Sequence, residues 1–187
     1  MDDDKYFDYL AGRSAFGATY RWLLLYPRLV KRLRGRCLDV GCGIGDMLLH
    51  RPDTVGVDVN ARTVAFCRSR GAQAVQMEPD RLPFDARSFD SVLMDNVLEH
   101  IADPGPLLGE VRRVLRPGGR LLVGVPGRRG WDSDADHKVF YDEAGLSARV
   151  GAAGFAGLEV FHTPLRRSAW LDLNLRQYCV YGLFECR

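Results

Sequence analysis

Three glycines at alternate positions follow a short apolar run near residue 40. Residues 37–48, CLDVGCGIGDML, predict a buried strand that ends near Asp39 and continues into Gly41, Gly43 and Gly45. Glycine loses more conformational freedom on folding than any other residue, so three in five positions indicate a backbone that something approaches closely. In open α/β sheets a glycine-rich turn after the first strand is the usual place for a ligand.

The spacing of the glycines argues against phosphate-binding loops. A dinucleotide site follows G-x-G-x-x-G, but here the third position is Asp46, whose carboxylate would repel a pyrophosphate. No G-K-[ST] sequence follows either, which excludes a P-loop. The order (D/E)-x-G-x-G-x-G from Asp39 instead resembles motif I of the class I S-adenosylmethionine-dependent methyltransferases. The resemblance implies S-adenosylmethionine as cofactor, S-adenosyl-L-homocysteine as product, and cofactor contacts from Asp39 to Gly45, including Cys42.

Further stretches are similar to the same family over about residues 36 to 162. Asp58 ends the second predicted strand, where an acidic side chain can accept hydrogen bonds from both ribose hydroxyls. The resemblance implies an adenine contact from Glu78, a position at which Asp is more usual. It also implies cofactor contacts from Arg13, Val59, Asn60, Met77, Asp95 and Asn96. The structural alternatives are that Asp39 caps the turn after it and that Asp95 and Asn96 cap the short turn VLEHI.

Seven β-prone runs alternate with helical segments along the chain. Strands are expected at 36–40, 54–59, 72–77, 88–95, 119–126, 157–164 and 177–186. Helices are expected at 17–35, 60–71, 103–119 and 141–155, the first with a kink or break at Pro27. This alternation predicts an α/β fold with a mostly parallel sheet covered on both faces, and the short link before the last strand favours an antiparallel strand there. The family resemblance implies a Rossmann-like sheet of order 3-2-1-4-5-7-6.

Two regions are expected along the chain. Residues 1–35 form a helical segment that covers the cofactor site, with Tyr9 and Arg13 placed over the cofactor by analogy with the family. Residues 36–187 form the class I methyltransferase core. Further substrate contacts are expected from residues 127–145, which follow the fifth strand and therefore lie at the ligand-binding edge.

Composition narrows the class of acceptor. The chain has 187 residues, 47% of them hydrophobic, a formal net charge of +2 and no apolar run long enough for a membrane span, so a cytoplasmic protein is expected. There is no strongly basic tract, and residues 95–98 lack the (N/D/S)-P-P-(Y/F) sequence of amino-modifying nucleic-acid methyltransferases. A nucleic-acid acceptor is therefore not expected. The sequence LPF…SFD…VLEHI, between residues 82 and 101, resembles the branch of the family that methylates small molecules, including quinone precursors, which implies a small-molecule acceptor. A cofactor-binding protein without transfer, an enzyme acting on protein or RNA, and a homodimer stay open.

Catalytic and metal-binding candidates are few. The five cysteines form no C-x-x-C pair and the four histidines no H-x-x-x-H spacing, so no metal site is expected. His137 is the best candidate for a catalytic base, although a structural histidine bonded to Asp134 or Asp136 is an equal alternative. His100 is a weaker candidate, more often a packed turn residue. Two adjacent arginines at 128–129 could meet an anionic group of the substrate.

Overall fold

The computed structural model describes residues 15–187, together with Phe7 and Gly12. Tyr9 and Arg13, which the sequence analysis places over the cofactor, lie outside the described residues. The predicted first helix is shorter than 17–35 and consists of three parts. These are α1 (Ala15–Tyr20), a π-helical turn (Arg21–Leu25) and α2 (Tyr26–Val30). The irregular turn immediately precedes Pro27, which has no backbone N–H to donate to the preceding turn.

The predicted alternation of strands and helices is present in the remainder of the chain. The strands are β1 (Cys37–Val40), β2 (Thr54–Asp58), β3 (Ala74–Gln76), β4 (Phe89–Asp95), β5 (Leu115–Pro126), β6 (Phe155–Thr163) and β7 (Cys179–Cys186). The helices after β1 are α3 (Asp46–His50), α4 (Ala61–Ser69), α5 (Gly105–Val114), α6 (Arg128–Trp131), α7 (Glu143–Ala152) and α8 (Ala169–Asn174). A 3-10 turn, Leu98–His100, follows β4. No helix among the described residues is both long and apolar enough to cross a membrane.

The seven strands form one sheet in the order β3-β2-β1-β4-β5-β7-β6, as the family resemblance implied. The pairs from β3 to β5 are parallel, whereas β7 is antiparallel to both β5 and β6. The carboxyl ends of β1, β2 and β4 therefore meet at one edge of the sheet. The predicted antiparallel last strand is thus confirmed.

Helices cover both faces of the sheet, because successive side chains of a strand point to opposite sides. On β4, Val92 and Met94 belong to the apolar cluster that contains residues of α5 and α7. Leu93, between them, packs in a second cluster with Leu29 of α2. Near-continuous burial of the central strands is what a parallel sheet covered on both faces requires.

β5 begins earlier than predicted, at Leu115 rather than residue 119. Leu115 pairs with Phe89 and Arg120 with Ser91, so residues 116–119 form an irregularity within the strand pair. Gly118 has a φ of +73°, which suits the turn inside this irregularity. The predicted helix 103–119 correspondingly ends at Val114.

β6 is an edge strand, and its pairing with β7 is interrupted. The register shifts between Gly157 and Glu159. The carboxylate of Glu159 accepts two hydrogen bonds from the Arg32 guanidinium, from Nε at 2.9 Å and from Nη2 at 2.6 Å. This bidentate ion pair connects the edge strand to the segment that follows α2.

The central cluster should carry most of the stability of the fold. Leu108 of α5 is fully buried, so we expect Leu108→Ala to lower the free energy of unfolding by about 2–5 kcal/mol in denaturant titrations. Leu158→Ala is the matched control, since Leu158 on β6 is 49% exposed and its loss should cost less than about 0.5 kcal/mol. An equal decrease in the free energy of unfolding in the two variants would contradict this assignment of the core.

Candidate cofactor site

The glycine loop between β1 and α3 has left-handed backbone at all three glycines. The φ values are +74° at Gly41, +52° at Gly43 and +79° at Gly45, a region that side-chain-bearing residues rarely adopt. A Cβ at Gly41 would lie 2.6 Å from Val97 Cγ2, and one at Gly45 would lie 2.7 Å from Cys67 Sγ. The loop's own conformation and packing therefore already require glycine at both ends.

Asp58, at the end of β2, holds this loop in place. Its Oδ2 accepts a hydrogen bond from the Gly43 amide at 2.9 Å, and its Oδ1 accepts one from the Asn60 amide, also at 2.9 Å. The carboxylate is buried beneath the loop. Hydrogen bonds from amides to a charged acceptor are stronger than those between neutral groups. Asp58 thus couples the glycine loop to the start of α4.

The two residues after Asp58 have different surroundings. Asn60 caps α4, because its side-chain oxygen accepts hydrogen bonds from the amides of Arg62 and Thr63. Val59 is 49% exposed at the carboxyl edge of the sheet, where an apolar ligand group could cover it. The family resemblance implied cofactor contacts from both positions; only Val59 presents an exposed apolar side chain.

Asp95 and Asn96 lie at the end of β4, beside the glycine loop. The Tyr181 hydroxyl donates to Asp95 Oδ1 at 2.7 Å, and the Asn96 side-chain amide donates to the same oxygen at 3.1 Å. Arg21 Nη1 lies 3.6 Å from Asp95 Oδ2. Asn96 has a φ of +57°, in the left-handed region that Asn tolerates better than most residues. Its backbone amide donates to the carbonyl of Gly124 at 2.9 Å, which fixes this turn against β5.

These elements enclose a pocket lined by more acidic residues than basic ones. Its lining includes Asp39, Asp46 and Asp95, the glycine loop, and the side chains of Arg21 and Tyr26. Burial, and after it the nearby Asp95 carboxylate, raises the pKa of Asp39 well above its ordinary value. A pocket of this kind favours a ligand that has both a positively charged group and a carboxylate of its own. Arg21 could bind that carboxylate.

The remaining predicted cofactor residues differ in burial and in packing. Cys42 is buried in a small apolar cluster with Leu48, Val64 and Cys67. The Met77 side chain packs in the main core, while its backbone amide donates to the carbonyl of Asp58 at 3.0 Å.

Glu78 is exposed beyond the end of β3 and forms an isolated bridge with Arg81. A cofactor contact from Met77 would therefore use its backbone. A contact from the Glu78 side chain stays a prediction.

The two catalytic candidates lie next to each other at the same edge of the sheet. The rings of His100 and His137 are 4.7 Å apart between centroids. Nδ1 of His137 is 2.8 Å from the carbonyl oxygen of Trp131, whereas the alternative of a structural histidine named Asp134 or Asp136 as its partner. The His137 ring also stacks on Trp131, with centroids 4.9 Å apart. Its role as a base stays a prediction.

A second cavity, of about 610 Å³, lies beyond the end of β5. Its lining comes from α7, α8, β6, β7 and the segments that precede them, and includes Phe140, Tyr141, His162 and Tyr178. Of the two arginines at 128–129, Arg128 lies with its guanidinium 3.9 Å from the centroid of the Phe140 ring. A larger cavity, of about 800 Å³, is lined by residues that precede β1 and β4 and is therefore at the opposite edge from the glycine loop.

Comparison with known sequences finds methyltransferase relatives. Residues 38–123 match the family model described as a methyltransferase domain. A probable S-adenosylmethionine-dependent methyltransferase from Mycolicibacterium smegmatis is 33% identical over 155 residues, which cover 74% of this chain and 60% of that protein. A demethylmenaquinone methyltransferase from Thermus thermophilus is 34% identical over 130 residues, which cover 63% of this chain and 59% of that protein. The chain spans between 40% and 60% of the length of three curated relatives.

Solved structures agree on the fold. A methyltransferase from Thermotoga maritima superimposes with a TM-score of 0.73 at 21% identity, covering 91% of both chains. One from Aquifex aeolicus gives 0.75 at 18% identity and covers 100% of both chains. The resemblance to the class I S-adenosylmethionine-dependent methyltransferases is confirmed. S-adenosylmethionine is the cofactor that this domain implies.

Sequence reasoning missed three side chains of this region. Arg21 lies in the pocket, but in the sequence it is one of several arginines in a helical segment. Tyr181 reaches Asp95 from β7, a contact between residues 86 positions apart that no local pattern reveals. Glu99 is fully buried beside the two histidines, although its place in the short turn VLEHI could have suggested a functional acid.

The loop contact predicts a specific loss of local stability. Asp58→Asn replaces one acceptor oxygen by an NH₂ donor that faces a backbone amide, so the free energy of unfolding should fall by about 1.5–3 kcal/mol. Amide hydrogen exchange at Gly43 should become faster. Asp53→Asn is the matched control, because Asp53 makes only an exposed ion pair with Arg51. Equal protection of Gly43 in both variants would show that Asp58 does not hold the loop.

Proposed function

We propose that this chain binds S-adenosylmethionine and transfers its methyl group to a small-molecule acceptor. The observation that carries the proposal is the pocket around the glycine loop, where the carboxyl groups of Asp39 and Asp95 lie close together and the Arg21 guanidinium lies 3.6 Å from Asp95 Oδ2. The cofactor has two positive groups, its sulfonium and its ammonium, and one carboxylate. This charge pattern complements the pocket group by group.

The cofactor's parts are assigned to separate residues. Arg21 pairs with the carboxylate of the amino-acid tail, and the side chain of Asp95 accepts from its ammonium group. Asp58, whose carboxylate lies directly beneath the glycine loop, accepts a hydrogen bond from a ribose hydroxyl. Val59 covers one face of the adenine with its exposed side chain.

Methyl transfer needs alignment more than a dedicated catalytic group. A lone pair of the acceptor attacks the methyl carbon in line with the carbon–sulfur bond, which breaks and leaves its electron pair on sulfur. The product is S-adenosyl-L-homocysteine, and the acceptor releases its proton to a base or to water. The protein contributes by holding both reactants in contact and by excluding solvent.

The acceptor is assigned to the cavity of about 610 Å³ beyond β5, which supports a small molecule with aromatic character. Phe140, Tyr141 and Tyr178 line it with rings, and His162 and Arg167 add polar groups. A volume of this size falls in the usual range for small-molecule sites. The demethylmenaquinone methyltransferase among the relatives agrees with such an acceptor. The formal net charge of +2 gives no support to a nucleic-acid acceptor.

Calorimetry with three ligands tests the cofactor assignment. We expect one molecule of S-adenosyl-L-homocysteine per chain, and in Arg21→Gln an affinity lower by about 1.5–3 kcal/mol, because a charged hydrogen-bond partner is lost. Binding of 5′-methylthioadenosine, which has no carboxylate, should be equal in both proteins. Arg34→Gln is the control, since Arg34 is exposed outside the pocket. Binding of NAD, without binding of S-adenosyl-L-homocysteine or 5′-methylthioadenosine, would overturn the proposal.

Transfer of a labelled methyl group tests the class of acceptor. The chain is incubated with methyl-labelled cofactor and either the small-molecule or the macromolecular fraction of a cell extract. We expect label only in the small-molecule fraction, and less of it with Phe140→Ala, while cofactor affinity is unchanged. Label in protein or RNA would contradict a small-molecule acceptor. Cofactor binding without label in either fraction would identify a binding protein without transferase activity.

A further inference from the structure

Three potential ligand side chains meet next to the cofactor pocket without taking part in it. Glu99 and His100 belong to the 3-10 turn after β4, and His137 belongs to the segment after β5. One donor atom from each lies within 4.8 Å of the other two. The two segments are joined here by their backbones as well, because the amides of Lys138 and Val139 donate to the Glu99 carbonyl at 2.7 Å and 3.1 Å.

Glu99 is the unusual member of this group. Its side chain is fully buried, and neither carboxylate oxygen has a hydrogen-bond partner among the described residues. Buried polar groups in proteins nearly always have a partner, because leaving one unpaired costs the full free energy of its desolvation. Nε2 of His137 lies 4.0 Å from Oε1 of Glu99. Glu99 is therefore oriented toward the other two donors and lacks a protein partner.

Both histidine rings are held in the way that metal ligands usually are. Nδ1 of His137 bonds to the carbonyl oxygen of Trp131, so that nitrogen carries the proton and Nε2 keeps a lone pair directed at Glu99. The His100 ring is hydrogen-bonded to the backbone of Asp136. Backbone carbonyls that fix the tautomer and the orientation of a ligating imidazole are typical partners behind metal sites.

We propose that Glu99, His100 and His137 bind one divalent transition-metal ion, of which Zn²⁺ is the best match. Two imidazole nitrogens and one carboxylate oxygen suit Zn²⁺, whereas Mg²⁺ and Ca²⁺ prefer sites made of oxygen. Bonds of about 2.0–2.2 Å place neighbouring ligand atoms of a tetrahedral site about 3.4 Å apart, so the three side chains need to approach by roughly 1 Å.

The ion would join the turn after β4 to the segment after β5. That segment contains Trp131 and continues to Phe140, which lines the cavity assigned to the acceptor. Three protein ligands leave the fourth position of a tetrahedral ion for water or another ligand. The site is independent of the cofactor assignment, because none of its three side chains lines the glycine-loop pocket.

Metal titration of the whole chain tests this site without any measurement of methyl transfer. The protein is freed of metal with a chelator, exchanged into buffer, and titrated with ZnCl₂ by calorimetry. We expect one ion per chain, with the affinity lowered by more than about 100-fold in Glu99→Gln and in His137→Gln. His162→Gln is the matched control, because His162 pairs with Glu143 on another part of the chain and should leave the affinity unchanged.

Titration with CoCl₂ identifies the ligands. A four-coordinate Co²⁺ ion with nitrogen and oxygen ligands gives intense visible ligand-field bands, whereas ligation by any of the five cysteines adds a sulfur charge-transfer band in the near ultraviolet. We expect the first and not the second. Circular dichroism confirms that each variant is folded, and His100→Gln replaces Glu99→Gln if the latter is not.

Two results would overturn the proposal. Zn²⁺ binding of equal affinity in the wild type, Glu99→Gln and His137→Gln would show an adventitious ion only. Absence of stoichiometric binding to the wild type would show that Glu99 is buried without any ligand.

Discussion

The hydrogen bonds of one buried carboxylate determine the geometry of the whole cofactor edge. Asp58 accepts from the amides of Gly43 and Asn60, and so connects a loop with left-handed backbone to the start of a helix. Without such an acceptor, the amide of Gly43 would lie buried and unpaired, and the loop would lose the conformation that keeps it close to β2. The amides of Gly41 and Cys42 complete the connection by donating to the carbonyl of Val57. The loop is therefore positioned by the strand next to it.

The parallel sheet brings carboxylates together at this edge, where they repel one another. β1, β2 and β4 end side by side, so the acids at or next to their ends, Asp39, Asp58 and Asp95, come together. Their repulsion adds to the cost of burying Asp39. The fold offsets part of this cost with Tyr181, which donates to Asp95 from the antiparallel strand. A cationic ligand would offset more of it. Such an arrangement favours a positively charged ligand at this edge of the sheet.

The fold was largely predictable from the sequence because its signals are local. Apolar runs bounded by glycine, proline and aspartate marked all seven strands, and Asn60 marked the start of α4. The strand order came from the family resemblance, and the irregularity at 116–119 escaped prediction because it depends on pairing with β4. Within the candidate site, the spacing of the glycines marked the loop after β1, whereas Asp95 was proposed from the family resemblance. The positions of Arg21 and Tyr181 in the site, and the contact between Glu99 and His137, depend on tertiary packing. Packing between distant segments produces no periodic pattern in the sequence.

The interruption in β6 has a consequence for how copies of the molecule meet. An edge strand presents unpaired amides and carbonyls that another chain can extend into a continuous sheet, and Leu158 and Val160 on its exposed face would favour such growth. The shifted register at Gly157 breaks the even spacing that an incoming strand would need. The Arg32–Glu159 pair adds charges that would have to be desolvated if a second apolar strand paired here. An irregular, charged border of this kind disfavours edge-to-edge pairing between neighbouring molecules.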